Sequence, residues 1–403
     1  MNQNASKNLL ILSLTMIVIA LGFGMVMPIF PFYIERMGIS GGAYGLLIAS
    51  YALMQMIFAP IWGSVSDQVG RKPILALGIL GNAITLLLMG IATDYWMLLI
   101  SRALSGIISS AALPTTLAYV SDSTTEKERG GGMGRLGAAS ALGLILGPGL
   151  GGLLAGDSLS LPFFLAAGLS LLCLLLTLLF LPESLPPEAR VKIGAKGQPR
   201  LLRPGDLWRA LAGPLGLLLF LAFLVSFGMS NFQAIFGLYA VVKYGYDTTQ
   251  VGVILMVVAL LAAVGQGLLT GPITERYGEE RVIRAALLFS ALGFVLMLMA
   301  RSYPAVLVTV AFFELAKTLI RPAVTSLTSQ RAAGGQGTVM GLNNAFLSLG
   351  QILGPLWAGF VFDLHPNLPY LSGAIIALGG FFVCLARLRP PKTVPADSSR
   401  LLL

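Results

Sequence analysis

Three ionisable side chains share one apolar segment of helical length. Glu314, Lys317 and Arg321 are spaced at i, i+3 and i+7, which places them on one face of a helix. A charge in the middle of a bilayer is costly, so such residues are candidates for a functional site. Burial and a nearby cation act in opposite directions on carboxyl protonation, so Glu314 could take up and release a proton. Alternatively, Glu314 and Lys317 neutralise each other as a structural pair.

The usual catalytic and nucleotide-binding motifs are missing. GLILGPGLGG (143–152) formally contains GxGxxG, but that fingerprint needs a preceding strand and an acid about 20 residues later, and an acid-free apolar run follows instead. No GxxxxGK[ST] loop occurs, the only histidine is His365, and Cys173 and Cys384 lie in apolar runs. We therefore expect no enzyme, no cofactor, no metal site and no ATP-driven pump, which leaves an ion gradient as the energy source.

Apolar runs are the elements that must position these residues. Of the 403 residues, 56% are hydrophobic and 11% charged, whereas a soluble domain has about 25% charged residues. A helix of about 20 apolar residues spans a bilayer. Twelve such runs begin near Leu9, Gly42, Pro73, Trp96, Gly132, Leu161, Pro214, Thr249, Val282, Tyr303, Gly337 and Leu368. The sequence predicts an all-α polytopic membrane protein with twelve transmembrane helices.

Basic residues are distributed unevenly between the two sides of the membrane. With both termini on one side, 20 of the 26 basic residues fall on that side, and only Arg36, Lys243 and Arg301 fall on the other. An excess of Lys and Arg marks cytoplasmic segments. We expect a multi-pass protein of the cell (inner) membrane with both termini in the cytoplasm. The net charge of +9 reports this topology and predicts no nucleic-acid partner.

The chain repeats itself at an offset of 207 or 208 residues. GSVSDQVG (63–70) after helix two matches GPITERYG (271–278) after helix eight, Pro114 matches Pro322, and GLILGP (143–148) matches GQILGP (350–355). The repeat predicts two six-helix bundles, residues 1–181 and 210–390. A cytoplasmic linker, 182–209, joins them with a short helix near Asp206 to Arg209, and a cytoplasmic tail, 391–403, follows.

These motifs resemble those of the major facilitator superfamily, and most closely those of its twelve-helix drug:proton antiporters. GSVSDQVGRKP (63–73) resembles the signature between helices two and three, and LISRALSGIISSAALP (99–114) resembles the helix-four motif. LGFGMVMPIFP (21–31) resembles the helix-one motif, and GLILGPGLGG resembles the helix-five antiporter motif. SFGMSNFQ (226–233) and LIRPAVT (319–325) are similar to the Gram-positive-type multidrug exporters. The resemblance implies two pseudo-symmetric bundles with a substrate site between them near the midplane.

The resemblance also implies roles for the buried charges. Helices one, four, seven and ten line the cavity in that family, so the face with Glu314, Lys317 and Arg321 is expected there, with Glu314 as proton carrier. Arg102 matches the helix-four motif and either assists proton transfer or ties helices together through backbone carbonyls. The additional positive charge favours neutral, zwitterionic or anionic amphiphiles over cationic dyes.

The chain departs from its relatives in where it places acids. Those relatives carry an acid in helix seven, where this chain has Gln233, and an acid three residues before the helix-ten arginine, where it has Thr318. Glu314 lies one helical turn further from that arginine. Its role is therefore implied by the helix and the face it occupies and not by an aligned position. Tetracycline exporters carry an acid in helix one, which has no counterpart between Leu9 and Tyr33.

Two further motifs imply conformational roles. The resemblance implies a cytoplasmic cluster that latches the halves in the outward-open state, formed by Gly63, Asp67, Gly70, Arg71 and Asp122. Glycines four residues apart make a smooth helix face, and Pro148 removes one backbone hydrogen bond and can bend the helix. The resemblance places this surface across the two halves, against helix eight; it comprises Gly143, Gly147, Pro148, Gly151 and Gly152.

Polar and aromatic residues in otherwise aliphatic helices are the candidate substrate contacts, and we expect about half of them to touch substrate. They are Tyr51, Gln55, Asn231, Gln233, Phe236, Tyr239, Asn343 and Asn344. The expected function is proton-coupled efflux of small amphipathic compounds across the bilayer by a monomer. An exporter of one specific substrate, tetracycline-like or lipid-linked, and a solute symporter on the same fold remain alternatives.

Overall fold

Twelve helices long and apolar enough to cross a membrane run through a computed structural model that describes residues 3–156, 158–190, 204–332 and 335–387. They are α1 Ser6–Arg36, α2 Gly41–Val69, α3 Arg71–Gly90, α4 Tyr95–Ser123, α5 Glu126–Leu154, α6 Leu161–Phe180, α7 Gly216–Tyr244, α8 Thr248–Tyr277, α9 Glu279–Met299, α10 Tyr303–Gln330, α11 Gln336–Leu364 and α12 Leu368–Arg387. The predicted number of spans is confirmed, and each begins within about two turns of the predicted position.

Side-chain caps and glycines determine where several helices begin and end. Ser40, Asp94 and Ser302 each accept a hydrogen bond from the first turn of the helix that follows, and Asp247 forms a full capping box with Gln250. Gly70 and Gly278 have φ of 121° and 77°, values open to glycine, and each is the single residue between two helices.

The next helix starts at the residue after each of these glycines, so the prediction that 63–70 and 271–278 follow helices two and eight is wrong for most of both segments. Residues 63–69 and 271–277 continue α2 and α8 as helix, and only Gly70 and Gly278 make the turns. The short helix predicted near Asp206 to Arg209 is confirmed, since residues Pro204–Ala212 are helical. Linker residues 191–203 and the predicted tail lie outside the described residues.

The glycine face of α5 packs within its own half. A Cβ atom at Gly147 would lie 2.7 Å from the carbonyl oxygen of Leu21, and one at Gly151 would lie 2.7 Å from the Cα of Met25, both in α1. Gly143 likewise contacts α1. The predicted contact with helix eight is therefore wrong for Gly143, Gly147 and Gly151. It is correct for Pro148 and Gly152, which lie on the adjacent face of α5.

The adjacent face of α5 crosses to the other half. A Cβ atom at Gly252 of α8 would lie 2.5 Å from the carbonyl oxygen of Pro148, and one at Gly152 would lie 2.9 Å from the Cα of Gly252. Backbone therefore meets backbone between the halves. The α5 helix stays continuous through Pro148.

The second contact between the halves repeats the first. In α11, Gly354 packs on α7 of its own half. Gly359 instead packs on Gly45 of α2 in the other half, and a Cβ atom at Gly359 would lie 3.1 Å from the Cα of Gly45. Gly359 follows Gly152 by 207 residues, and Gly252 follows Gly45 by the same number. Two pseudo-symmetric glycine contacts thus join the bundles.

These contacts lie at one end of the molecule. We call this end, with Gly41, Gly152, Thr248 and Gly359, the sealed face, and the opposite end, with Asp67, Asp122 and Glu279, the termini face. Towards the termini face α2 and α8 are less buried. No residue in 51–65 is buried, and Gly265 is the only buried residue in 259–277. A cleft between the halves therefore opens on the termini face. Cys173 and Cys384 are free and buried, as predicted.

Candidate functional site

The acid and the lysine of α10 form a buried ion pair. Lys317 Nζ lies 2.5 Å from Glu314 Oε2, and the two side chains are 2% and 3% exposed. The ammonium also lies 5.4 Å from the ring centroid of Phe232 and 5.5 Å from that of Phe313. Opposite charge and aromatic faces together offset part of the cost of burying the lysine.

Arg321 does not share this environment. One turn along α10 from Lys317, it is exposed, because the cleft is open at that level. The three charges have the predicted helical spacing. The prediction that all three line one cavity is wrong, because Glu314 and Lys317 are buried while Arg321 is exposed. Lys317 instead borders a small cavity inside the C-terminal bundle, lined also by Met229, Ser290 and Gly373.

Arg102 of α4 is buried among aromatic rings. Its guanidinium carbon lies 4.5 Å from the ring centroid of Tyr51, 5.2 Å from that of Phe23 and 5.4 Å from that of Phe30, and the residue is 2% exposed. No described residue accepts a hydrogen bond from its Nε. Phe23 and Phe30 were not among the predicted site residues. Their i, i+7 spacing in helix one was the available signal.

The predicted substrate contacts divide into two groups of four. Tyr51 and Gln55 of α2 are partly exposed to the cleft, and Gln55 donates a 3.3 Å hydrogen bond to the Tyr51 hydroxyl. Gln233 and Asn344 are exposed, and Gln233 is one turn from Gly237, which packs on Pro31 of α1. Substrate contact by these four stays a prediction.

The other four candidates lie inside the C-terminal bundle. Asn231 Nδ2 donates to the carbonyl of Pro369 at 3.1 Å, and the Tyr239 hydroxyl bonds Asn367 Oδ1 at 3.2 Å. Phe236 packs on Phe232, 5.2 Å between ring centroids, and Asn343 is fully buried with no partner for its amide among the described residues. In this conformation these side chains face protein.

The charge cluster at the termini face is closed within the N-terminal half. Arg71, which begins α3 and is 7% exposed, contacts Asp67 at 2.5 Å and Asp122 at 2.9 Å and donates to Ser66 at 2.7 Å. Gly70 supplies the turn that brings Arg71 between the two acids. The predicted cluster is present, and its latching of the halves stays a prediction. Gly63 faces open space.

At the matching positions the C-terminal half has an amide–carboxylate contact in place of the arginine–carboxylate pair. Glu279 and Gln330 are 208 residues after Arg71 and Asp122, and Gln330 Nε2 donates to Glu279 Oε1 at 2.6 Å. Ser326 donates to the same oxygen at 2.9 Å. The internal repeat therefore preserves the position of the contact while its charges change.

An acid that sequence reasoning overlooked joins the halves at the sealed face. Asp363, at the end of α11, accepts hydrogen bonds from the backbone N–H groups of Gly41 and Gly42 at 2.6 and 2.8 Å. These N–H groups begin α2 in the other half, where a helix carries partial positive charge. The residue 207 positions earlier is Gly156, which has no side chain to make this contact.

A known protein family and individual proteins resemble this chain in sequence over most of its length. The sequence profile of the Major Facilitator Superfamily matches residues 12–269 and 218–401. Multidrug resistance protein 2 of Bacillus subtilis (strain 168) is 34% identical over 379 residues, 94% of each chain, and multidrug resistance protein 1 of the same organism is 34% identical over 384 residues, 94% and 95%. Quinolone resistance protein NorA of Staphylococcus aureus is 28% identical over 380 residues, 94% and 96%.

Solved structures show the same fold. The human organic anion transporter MFSD10 (TETRAN) is 25% identical with a TM-score of 0.68, covering 94% of this chain and 99% of its own. A bacterial homolog of the human lysosomal transporter Spinster, in an inward-facing conformation, has a TM-score of 0.79 at 16% identity, covering 97% and 100%.

Two repeated six-helix bundles, a cleft between them and whole-length similarity to transporters leave no role for an enzyme active site. The chain belongs to the Major Facilitator Superfamily, as a secondary transporter similar to multidrug efflux proteins.

Proposed function

We propose that this protein exports small amphipathic compounds from the cytoplasm in exchange for protons, and that Glu314 carries the proton. The observation that carries the proposal is the Glu314–Lys317 pair. Among the described residues it is the one ion pair with both side chains less than 4% exposed. Ionisable groups buried at membrane depth cluster at proton pathways.

The pair gives a physical reason for coupling. While it is intact, its two charges cancel. A proton on Glu314 would leave Lys317 as an uncompensated buried cation, which is strongly unfavourable. Proton uptake therefore has to accompany a rearrangement that hydrates the pair or brings another anion to it. Arg321, exposed in the cleft one turn away, and Arg102 are the cations that tune this equilibrium.

The orientation follows from the basic residues. We assign the termini face to the cytoplasm because 20 of the 26 basic residues fall on the side of the termini. The cleft would then admit substrate from the cytoplasm, and the glycine contacts of the sealed face would part as the halves rock. The Arg71 cluster would engage as the termini face closes.

The cleft indicates which compounds are favoured. Its candidate contacts, Tyr51, Gln55, Gln233 and Asn344, are uncharged, while Arg321 adds positive charge. We propose neutral, zwitterionic and anionic amphiphiles as better substrates than cationic dyes. The multidrug names of the Bacillus relatives and the organic anion in the name of MFSD10 support this range.

Inside-out membrane vesicles loaded with a pH-sensitive dye provide the test. A panel of amphiphiles of different charge should drive proton movement with the wild type. The Glu314→Gln variant should lose this movement by at least about tenfold, since a proton-carrying group is removed. Its downhill exchange of substrate for substrate, which needs no proton, should persist.

The matched control is Glu35→Gln, which neutralises an exposed acid at the end of α1 and should behave like the wild type. Proton movement that persists in Glu314→Gln would contradict the proton carrier while leaving export intact. A panel in which no compound moves protons in the wild type would contradict proton-coupled efflux itself.

A further inference from the structure

Three cations are buried among the residues that the structure describes, and one of these three has no acid beside it. Arg71 contacts two carboxylates and Lys317 contacts Glu314. Arg102 is as buried as Lys317, at 2% exposure, yet no described residue forms an ion pair with it or accepts a hydrogen bond from its Nε. A guanidinium carries five N–H donors, and a buried charge without a partner is strongly unfavourable.

Aromatic rings surround Arg102 without satisfying those donors. Tyr51, Phe23 and Phe30 present their faces to the guanidinium at 4.5 to 5.4 Å. Cation–π contact stabilises the charge, but it supplies no hydrogen-bond acceptor in the plane of the guanidinium. The arrangement leaves the edge of the guanidinium free for a planar anion and offers apolar faces to whatever is attached to that anion.

A second unpartnered polar group borders the same space. A small cavity with room for about one water molecule is lined by Phe23, Tyr51, Asn82, Arg102 and Ser109. The Ser109 hydroxyl is buried and has no hydrogen-bond partner among the described residues. Two buried donors without acceptors thus meet at one cavity in the N-terminal half.

The cavity can be reached from the cleft. Tyr51 forms one of its walls and is itself partly exposed, and Gln55, one turn closer to the termini face, is hydrogen bonded to the Tyr51 hydroxyl. Rotation of these two side chains would open a path from the cleft to Arg102.

We propose that Arg102 binds the carboxylate of a transported amphiphile, with Ser109 as a second donor and the three rings around its aromatic or apolar body. This inference rests on the proposed export function and narrows its substrates to include aromatic carboxylates. A carboxylate matches the fork of a guanidinium with two parallel hydrogen bonds. Arg102 is then the group in the N-terminal half that recognises substrate.

The test compares one probe with and without its charge. N-dansylglycine is a fluorescent aromatic carboxylate, and its methyl ester has the same body without the negative charge. Fluorescence titration of the purified full-length protein in detergent gives the affinity for each. The wild type should bind the acid more tightly than the ester.

Arg102→Gln should weaken binding of the acid by at least about tenfold and leave binding of the ester unchanged. Arg102→Lys, which keeps the charge but not the fork, and Ser109→Ala should each give a smaller loss for the acid alone. Unchanged ester binding shows that each variant is folded.

Arg321→Gln, which removes the exposed cation of the cleft, tests the competing source of a preference for the acid. If Arg321→Gln abolishes the preference for the acid and Arg102→Gln does not, the proposal is wrong, and the same holds if Arg102→Gln weakens acid and ester equally. Because binding needs no proton movement, these outcomes are independent of whether efflux is proton-coupled.

Discussion

The two halves of this protein are alike in how they pack and unlike in their charges. Gly152 meets Gly252 between α5 and α8, and Gly359 meets Gly45 between α11 and α2, with every position shifted by 207 residues. The ion pair of α10 has no such counterpart. Residues 208 positions before Glu314 and Lys317 are Gly106 and Ser109.

The reason for this difference is steric. A Cβ atom at Gly106 would lie 2.6 Å from the carbonyl oxygen of Tyr51, so α4 packs too closely on α2 to carry an acid at that position. The buried cation of α4, Arg102, therefore has no acid beside it, whereas α10 carries both an acid and a cation. The comparison indicates that backbone packing is the shared property of the halves and that binding chemistry is divided between them.

The largest expected effect separates the two glycine faces of α5. Gly147→Leu would insert a side chain into backbone contact with α1 of the same half and should lower the free energy of unfolding by about 3 kcal/mol. Gly152→Leu affects contact between the halves, so we expect near-normal insertion and thermal midpoint with at least about tenfold slower transport. Thermal denaturation in detergent and vesicle uptake measure the two effects.

Gly168→Leu in α6 is the control for bulk alone, because a Cβ atom there would meet nothing within 4 Å. Its stability should stay within about 0.5 kcal/mol of the wild type. Gly359→Leu should reproduce Gly152→Leu if the two contacts between the halves are equivalent. Equal loss of folding in the Gly147 and Gly152 variants would contradict the division into two faces.

A smaller effect is expected at the Asp363 contact of the sealed face. Asp363→Ala removes two hydrogen bonds that join α11 to the start of α2. The carboxylate is exposed, so the sealed arrangement should lose about 1 kcal/mol, a roughly fivefold shift towards opening. Accessibility of a cysteine introduced near Gly45 to a thiol reagent measures this shift.

Asp363→Asn keeps one acceptor and should give a smaller increase in that accessibility. Gly156→Ala, at the equivalent place in the N-terminal half, should give none. Accessibility unchanged in Asp363→Ala would mean that glycine packing alone holds the sealed face together.

The smallest effect is expected at the termini face. Asp122→Asn leaves Arg71 with one carboxylate and should lower the free energy of unfolding by about 1 kcal/mol. Gln330→Ala, which removes the equivalent amide–carboxylate contact to Glu279, should lower it by about 0.5 kcal/mol. Thermal midpoints in detergent compare the two variants. Equal losses would mean that the two clusters contribute alike, and the reverse order would contradict the prediction.

The sequence determined the elements of this protein and their repetition. Twelve apolar runs became twelve helices because a bilayer leaves few alternatives to a helix of that length. The offsets of 207 and 208 residues correctly paired the turns at Gly70 and Gly278. Helical spacing also placed Glu314 next to Lys317, since residues three apart are neighbours on any helix.

Only the tertiary structure decided which neighbour each face meets. Spacing put Gly143, Gly147 and Gly151 on one face of α5, but the helix opposite it, α1, comes from more than 100 residues earlier in the chain. Likewise, Arg321 follows Lys317 by one turn and is exposed because the cleft opens there. Periodicity fixes relative directions around a helix axis, whereas the partner in each direction depends on how separate helices assemble.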